Sequence, residues 1–133
     1  MKPEQKIHLE FCDWLGYSYP DVYFDSDPSG LRVTPSIRNI LMKTRSRHAH
    51  LDIIILEPRR EWKGLIIELK SETPFKQNGE LKSSDHLSDQ AYTMSLLESK
   101  GYKCNWAWSV EQAQQISINY LGASTVPDEP LFP

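Results

Sequence analysis

Two apolar runs, Leu51-Asp52-Ile53-Ile54-Ile55-Leu56 and Gly64-Leu65-Ile66-Ile67-Glu68-Leu69-Lys70, each hold charged side chains that such surroundings rarely contain unless those groups are paired or in use. On a strand, side chains two apart point the same way, so Glu68 and Lys70 share a face, and Asp52 joins them if the two runs pair. Two carboxylates and an ammonium would then converge on one point. Carboxylate oxygens suit a hard divalent ion such as Mg²⁺ or Mn²⁺, and a neighbouring lysine can polarise a water or offset charge gathering on a phosphate. The chemistry implied is metal-assisted phosphodiester hydrolysis. The competing reading of Glu68-Leu69-Lys70 is a surface ion pair on an edge strand, which the apolar flanks disfavour.

A further carboxylate can come from the first helix. Ile7, Phe11, Trp14 and Leu15 recur at helical spacing from Glu4 to Leu15. At about 100° per residue Glu4 falls on the side of Ile7, Phe11 and Leu15, with Glu10 near the edge of that stripe. An acid in a first turn also stabilises the helix dipole, so residue type alone leaves both roles open for Glu4.

Asp52, sixteen residues before Glu68-Leu69-Lys70, resembles the D…ExK core of the PD-(D/E)XK nuclease superfamily. Gln90 within His86-Leu87-Ser88-Asp89-Gln90, followed by Leu96, Leu97 and Lys100-Gly101-Tyr102, is similar to the Q…L…G helix of its VRR-NUC branch. The Glu4-Gln5 helix, the Asp27-Pro28-Ser29-Gly30 turn and Leu56-Glu57-Pro58 look like small stand-alone phage and prophage members. The likeness spans residues 3 to 121. It departs at Leu51, where many relatives have a proline that shapes the chain but ligates nothing. The resemblance implies a restriction-endonuclease-like αβββαβ core with a mixed central sheet flanked by helices, one inserted helix and a C-terminal helix. It also implies Mg²⁺ or Mn²⁺ held by Asp52, Glu68, the Leu69 carbonyl and Glu4, with Glu10 in reserve. Lys70 would then position or deprotonate the attacking water, and Gln90 would orient Lys70, the water or a phosphate oxygen.

The net charge of −3 is unpromising for nucleic acid as a sum, but its distribution is not. Lys43, Arg45, Arg47, His48 and His50 gather just before Asp52, and Lys76 and Lys82 lie in the stretch that follows Lys70. These are the expected phosphate contacts, against the alternative of a solvated helix end carrying cations. His48-Ala49-His50-Leu51-Asp52 also fits the HxHxD opening of zinc hydrolases of the metallo-β-lactamase type. Ile53 occupies the place of the next histidine, and 133 residues are too few for that two-layered fold. Trp106 and Trp108 alternate with Tyr102 and Cys104 and read as core packing ahead of base stacking.

A chain of 133 residues with 39% hydrophobic and 25% charged content is expected to form one domain over residues 1–121, followed by a Pro-rich tail over 122–133. Nothing approaches the roughly 20 apolar residues of a membrane span, and Met1-Lys2-Pro3-Glu4 is too polar for a secretory signal, so a cytoplasmic location is expected. Cys12 and Cys104 form no CxxC and indicate neither a zinc knuckle nor a disulfide framework.

The pattern predicts, after the first helix, a strand at Val22–Phe24 and a turn-rich loop to Gly30. A helix then runs from Pro35 to about Thr44, with Ile37, Ile40 and Leu41 at core spacing. Strands over 50–56 and 62–71 are joined by so short a turn that they should be antiparallel, and their apolar character on both faces puts them mid-sheet under helices above and below. Residues 73–84 read as a mobile loop beside the site. A helix from Asp85 to Lys100-Gly101, a strand from Tyr102 to Trp108 and a helix from Val110 to Leu121 complete the order. The function expected is a structure-selective, metal-dependent DNA endonuclease in phage or mobile-element replication, recombination or repair, acting on branched, flapped or nicked DNA, with a homodimer as one arrangement. The alternative is a non-catalytic nucleic-acid-binding module that keeps the same fold.

Overall fold

In the computed structural model, residues 1–27 and 33–126 are described; Pro28-Ser29-Gly30 of the expected turn, and the tail beyond Val126, lie outside them. The elements are α1 (Pro3–Ser18), β1 (Phe24–Ser26), α2 (Pro35–Lys43), β2 (Ile53–Ile55), β3 (Gly64–Leu69), α3 (Asp85–Ser99), β4 (Tyr102–Ala107) and α4 (Val110–Leu121). Side-chain caps start three of the helices. Thr34 Oγ1 accepts from Ile37 N–H, Ser84 Oγ from Leu87 N–H and Ser109 Oγ from Gln112 N–H. Gly101, at φ +101, takes the left-handed position that ends α3 and turns the chain into β4.

The four strands form one mixed sheet in the order β1-β2-β3-β4. β1 and β2 pair antiparallel, as do β2 and β3, with Ile53 opposite Ile67 and Ile55 opposite Leu65. β3 and β4 are parallel, Glu68 opposite Trp106, and α3 makes the crossover that a parallel pair requires. Leu65, Ile67 and Leu69 of β3 pack with Ile53 and Ile55 against Phe11 and Leu15 of α1 and Ala113 and Tyr120 of α4. Ile66 faces the other way, with Met94 and Leu97 of α3 and Tyr102, Cys104 and Trp106 of β4. The chain is thus a mixed α/β fold with helices on both faces of β3.

Three expectations need correction. First, β2 is not covered on both faces: Ile54, opposite Ile66, is 39% exposed, because α3 lies over β4 and does not extend across β2. Second, α2 buries none of its residues, and Ile40 is 60% exposed, so the Ile37, Ile40 and Leu41 stripe is not part of the core. Helical spacing shows that a face is apolar but not what covers it. Third, residues 73–84, read as a loop, contain a short hydrogen-bonded hairpin turn around residues 75–81. Phe75 bridges to Leu81, Lys76 N–H donates to Glu80 O (2.7 Å) and Gly79 N–H to Lys76 O (2.9 Å). Gly79 at φ +88 supplies the left-handed residue of a three-residue hairpin turn. Phe75 stands edge-on to both Trp106 (6.4 Å) and Trp108 (6.1 Å), which fixes the hairpin to the end of β4. β1 also falls two residues later than Val22–Phe24, and β2 is shorter than 50–56, although Leu56 N–H to Tyr23 O and Asp27 N–H to Asp52 O extend their pairing.

A candidate metal centre at the end of the central strand

β3 ends beside the start of β2, and the antiparallel register puts position 52 opposite position 68. The Asp52 backbone N–H donates to Glu68 Oε1 (3.0 Å), and the Leu69 N–H donates to Asp52 Oδ2 (2.8 Å). Each carboxylate thus holds the backbone that carries the other. Glu68, on the α3 face with Ile66, is 2% exposed and meets Gln90 of α3, whose Nε2 donates to Glu68 Oε2 at 2.6 Å. Lys70 Nζ lies 3.4 Å from the same oxygen and 5.9 Å from the centre of the Trp106 ring. From the opposite layer, the first turn of α1 brings Glu4 round the end of the sheet. Oxygens from Glu4, Asp52 and Glu68 lie within 4.8 Å of one another. The helices that carry Glu4 and Gln90 pack on opposite faces of the sheet, and their side chains reach the same end of β3.

The electrostatics of the cluster are those of a site short of positive charge. Burial, then the Asp52 carboxylate, pushes Glu68 up to about 9, so at neutral pH it holds a proton. Burial also raises Asp52, against the hydrogen bond from Leu69, and raises Glu4, against the Lys70 charge. A divalent cation would relieve all three. The donor set is three carboxylates, the hard oxygen ligands that Mg²⁺ and Mn²⁺ take. Gln90 Oε1 is buried and has no hydrogen-bond partner among the described residues, which leaves an acceptor beside the acids. The residues present therefore fit a hard divalent ion.

The other expected residues separate. Glu10 is exposed and pairs with Lys6 at 3.8 Å, outside the cluster. Leu69 contributes its N–H to Asp52. Arg45 is held by Asp27 at 2.7 Å in a mostly buried ion pair, so it braces the segment before β2. His48 and His50 are not among the acids: with Arg47 they line a cleft of about 560 Å³ that His86, Asp89 and Tyr92 close from α3. Burial, with the Arg45 charge, lowers the His50 pKa and keeps that ring neutral near pH 7. Among the described residues, the three-ligand group contains no histidine, so the HxHxD spacing does not translate into a zinc site here. Lys43 is exposed at the end of α2, Lys76 is exposed on the hairpin, and Lys82 sits 3.7 Å from Glu72.

His8 is the residue sequence reasoning passed over. One turn after Glu4 and 5% exposed, it leaves Nε2 without a partner among the described residues, on the buried stripe of α1. The signal was present: a histidine four residues from Glu4 and three from Phe11 belongs on the buried stripe. Cys12, a turn further, hydrogen-bonds Ser26, and burial raises its thiol pKa; both cysteines are free.

Comparison of the chain with protein-family models, with curated proteins and with solved structures finds no match. Among the described residues no helix is long and apolar enough to cross a membrane.

Proposed function

We propose that the protein is a metal-dependent nuclease of the PD-(D/E)XK type that hydrolyses DNA phosphodiesters. The observation that carries the reading is the convergence of Glu4, Asp52 and Glu68 within 4.8 Å, with Lys70 Nζ 3.4 Å from Glu68. Gathering three acids at one end of a buried strand is unfavourable without a cation, as the upward shift of all three carboxyl pKa values reflects. The element order is compatible with the αβββαβ core, with α2 as the insertion and α4 as the addition.

Glu4, Asp52 and Glu68 would hold Mg²⁺ or Mn²⁺, with the Leu69 carbonyl as the ligand the resemblance adds. Such an ion lowers the pKa of water and neutralises charge on the scissile phosphate. Lys70 positions the attacking water and offsets phosphate charge, and Gln90 accepts a hydrogen bond from that water through Oε1. The water oxygen would bond to phosphorus as the ester P–O bond breaks, the proton lost by the water passing to solvent and a solvent proton neutralising the departing oxygen. Arg47, His48, Lys76 and Lys82 would serve as contacts to the DNA backbone.

The test is cleavage. Purified protein with Mg²⁺ or Mn²⁺ should cut supercoiled, flapped or branched DNA. Asp52→Asn and Lys70→Ala should each reduce the rate at least ~100-fold, the lower end for loss of a positioned acid–base group, while circular dichroism stays unchanged. Failure on every DNA and RNA form would reject the enzyme and favour a nucleic-acid-binding module.

A further inference from the structure

We propose that the cleft between residues 47–50 and α3 receives one unpaired nucleotide of the substrate, its base stacked on Tyr92 and its phosphate on Arg47. The inference rests on the nuclease reading and narrows its substrate to DNA with an unpaired residue next to the cut.

Position is the first argument. One wall runs through Leu51 directly into Asp52, and the other is the helix that delivers Gln90 to Glu68. At about 100° per residue, His86, Thr93 and Asp89 follow Gln90 round α3, and Tyr92 lies about 160° away at the outer edge. The cleft therefore begins where the acidic centre ends. His86 lines the cleft one turn before Gln90, so the cleft wall and the Gln90 face of α3 are continuous.

Composition is the second. Tyr92 is 65% exposed and packs into no core, unlike Trp106 and Trp108, which Phe75 covers. Its ring is 6.3 Å from that of His48 at an interplanar angle of 33°, so the mouth has two aromatic surfaces of similar tilt. A volume of about 560 Å³ falls in the range of small-molecule sites, roughly 300–1,000 Å³. A groove for duplex backbone needs cations alone, but this cleft sets Asp89 opposite Arg47. A carboxylate repels phosphate yet accepts from the amino and imino groups of a base edge, so the pair suits one nucleotide with base and phosphate apart. A base can enter only when it has left the stack.

The experiment uses DNA carrying 2-aminopurine either at the first unpaired position beside a duplex junction or paired within continuous duplex. Fluorescence and affinity are measured in Ca²⁺, with intact strands verified on gels. Wild-type protein should quench the unpaired probe alone. Tyr92→Ala should abolish the quench and weaken that complex roughly five- to hundredfold, as loss of one stacked base does, with duplex affinity unchanged; Tyr92→Phe should keep both. Equal quenching by Tyr92→Ala, or equal weakening on duplex, overturns the inference. Cleavage by wild type in Mn²⁺ is scored separately. Cleavage without the quench rejects this cleft and leaves the nuclease, whereas the quench without cleavage of any substrate keeps the cleft and rejects the nuclease.

Discussion

Glu68→Gln should stabilise the metal-free protein, with a dependence on pH that follows from the position of Glu68. Its unfolded pKa is near 4.5 and its folded one is raised to about 9. Between those values the folded state binds the extra proton, so stability is fully present below pH 4.5 and is lost as pH rises towards 9. At pH 7 the loss integrates over 2.5 pH units, about 3 kcal/mol at 1.36 kcal/mol per unit. An uncharged amide escapes this loss. It also keeps the local bonds: its oxygen can accept from Asp52 N–H, and its NH₂ can donate to Gln90 Oε1 once the Gln90 amide turns over. Because Glu68 is protonated at pH 7, no ion pair with Lys70 is lost there, and the gain stays near the full loss of about 3 kcal/mol, or very roughly 8–15 °C in Tm for a domain of this size. Thermal unfolding of both proteins in EDTA from pH 4.5 to 9 is the assay. The difference should be near zero or unfavourable at pH 4.5 and should grow with pH. With saturating Mn²⁺ the order should invert, because only wild type gains from binding. A pH-independent difference, or a variant less stable at pH 8 without metal, would refute the reasoning.

Three further perturbations address the frame around the site. A Cβ on Gly64 would lie 2.8 Å from Ile55 O and 3.2 Å from the Tyr102 ring, so Gly64→Ala should cost about 1–3 kcal/mol in urea denaturation by forcing β2 and β4 apart. Ile40→Glu should change stability by no more than ~0.5 kcal/mol, as expected for an exposed position; a loss of several kcal/mol would mean that α2 is packed. Phe75→Ala should expose residues 73–84 to limited proteolysis while global unfolding shifts by about 1–2 kcal/mol, less than the ~3–5 kcal/mol of a fully buried Phe because this ring is only half-buried.

The positions of Asp52, Glu68 and Lys70 were legible because β-strand geometry is local: a period of two and a short antiparallel return determine which side chains meet. Glu4 was legible on the apolar side of its helix, although its role was not, whereas Gln90 was singled out only by the resemblance. Much else depended on distant packing. The stripe of Ile37, Ile40 and Leu41 has core spacing but no core against it. The hairpin at 75–81 had a visible Asn78-Gly79 turn, yet its anchor is the contact of Phe75 with two tryptophans more than thirty residues on. Arg45 looked like a phosphate ligand as one cation among five charged or ionisable neighbours, and only the fold brought Asp27 to it. The described part of the tail is likewise tied by tertiary contacts: Ser124 Oγ donates to Ser18 O and Tyr19 OH to Gly122 O, each at 2.6 Å.

Locating a bound cation bears most directly on the central claim. Crystals grown with Mn²⁺ and measured at its absorption edge should give an anomalous peak about 2.0–2.6 Å from oxygens of Glu4, Asp52 and Glu68, and Asp52→Asn crystals should lack it. No peak among those three carboxylates, or a peak held instead by His48 and His50, would contradict the account.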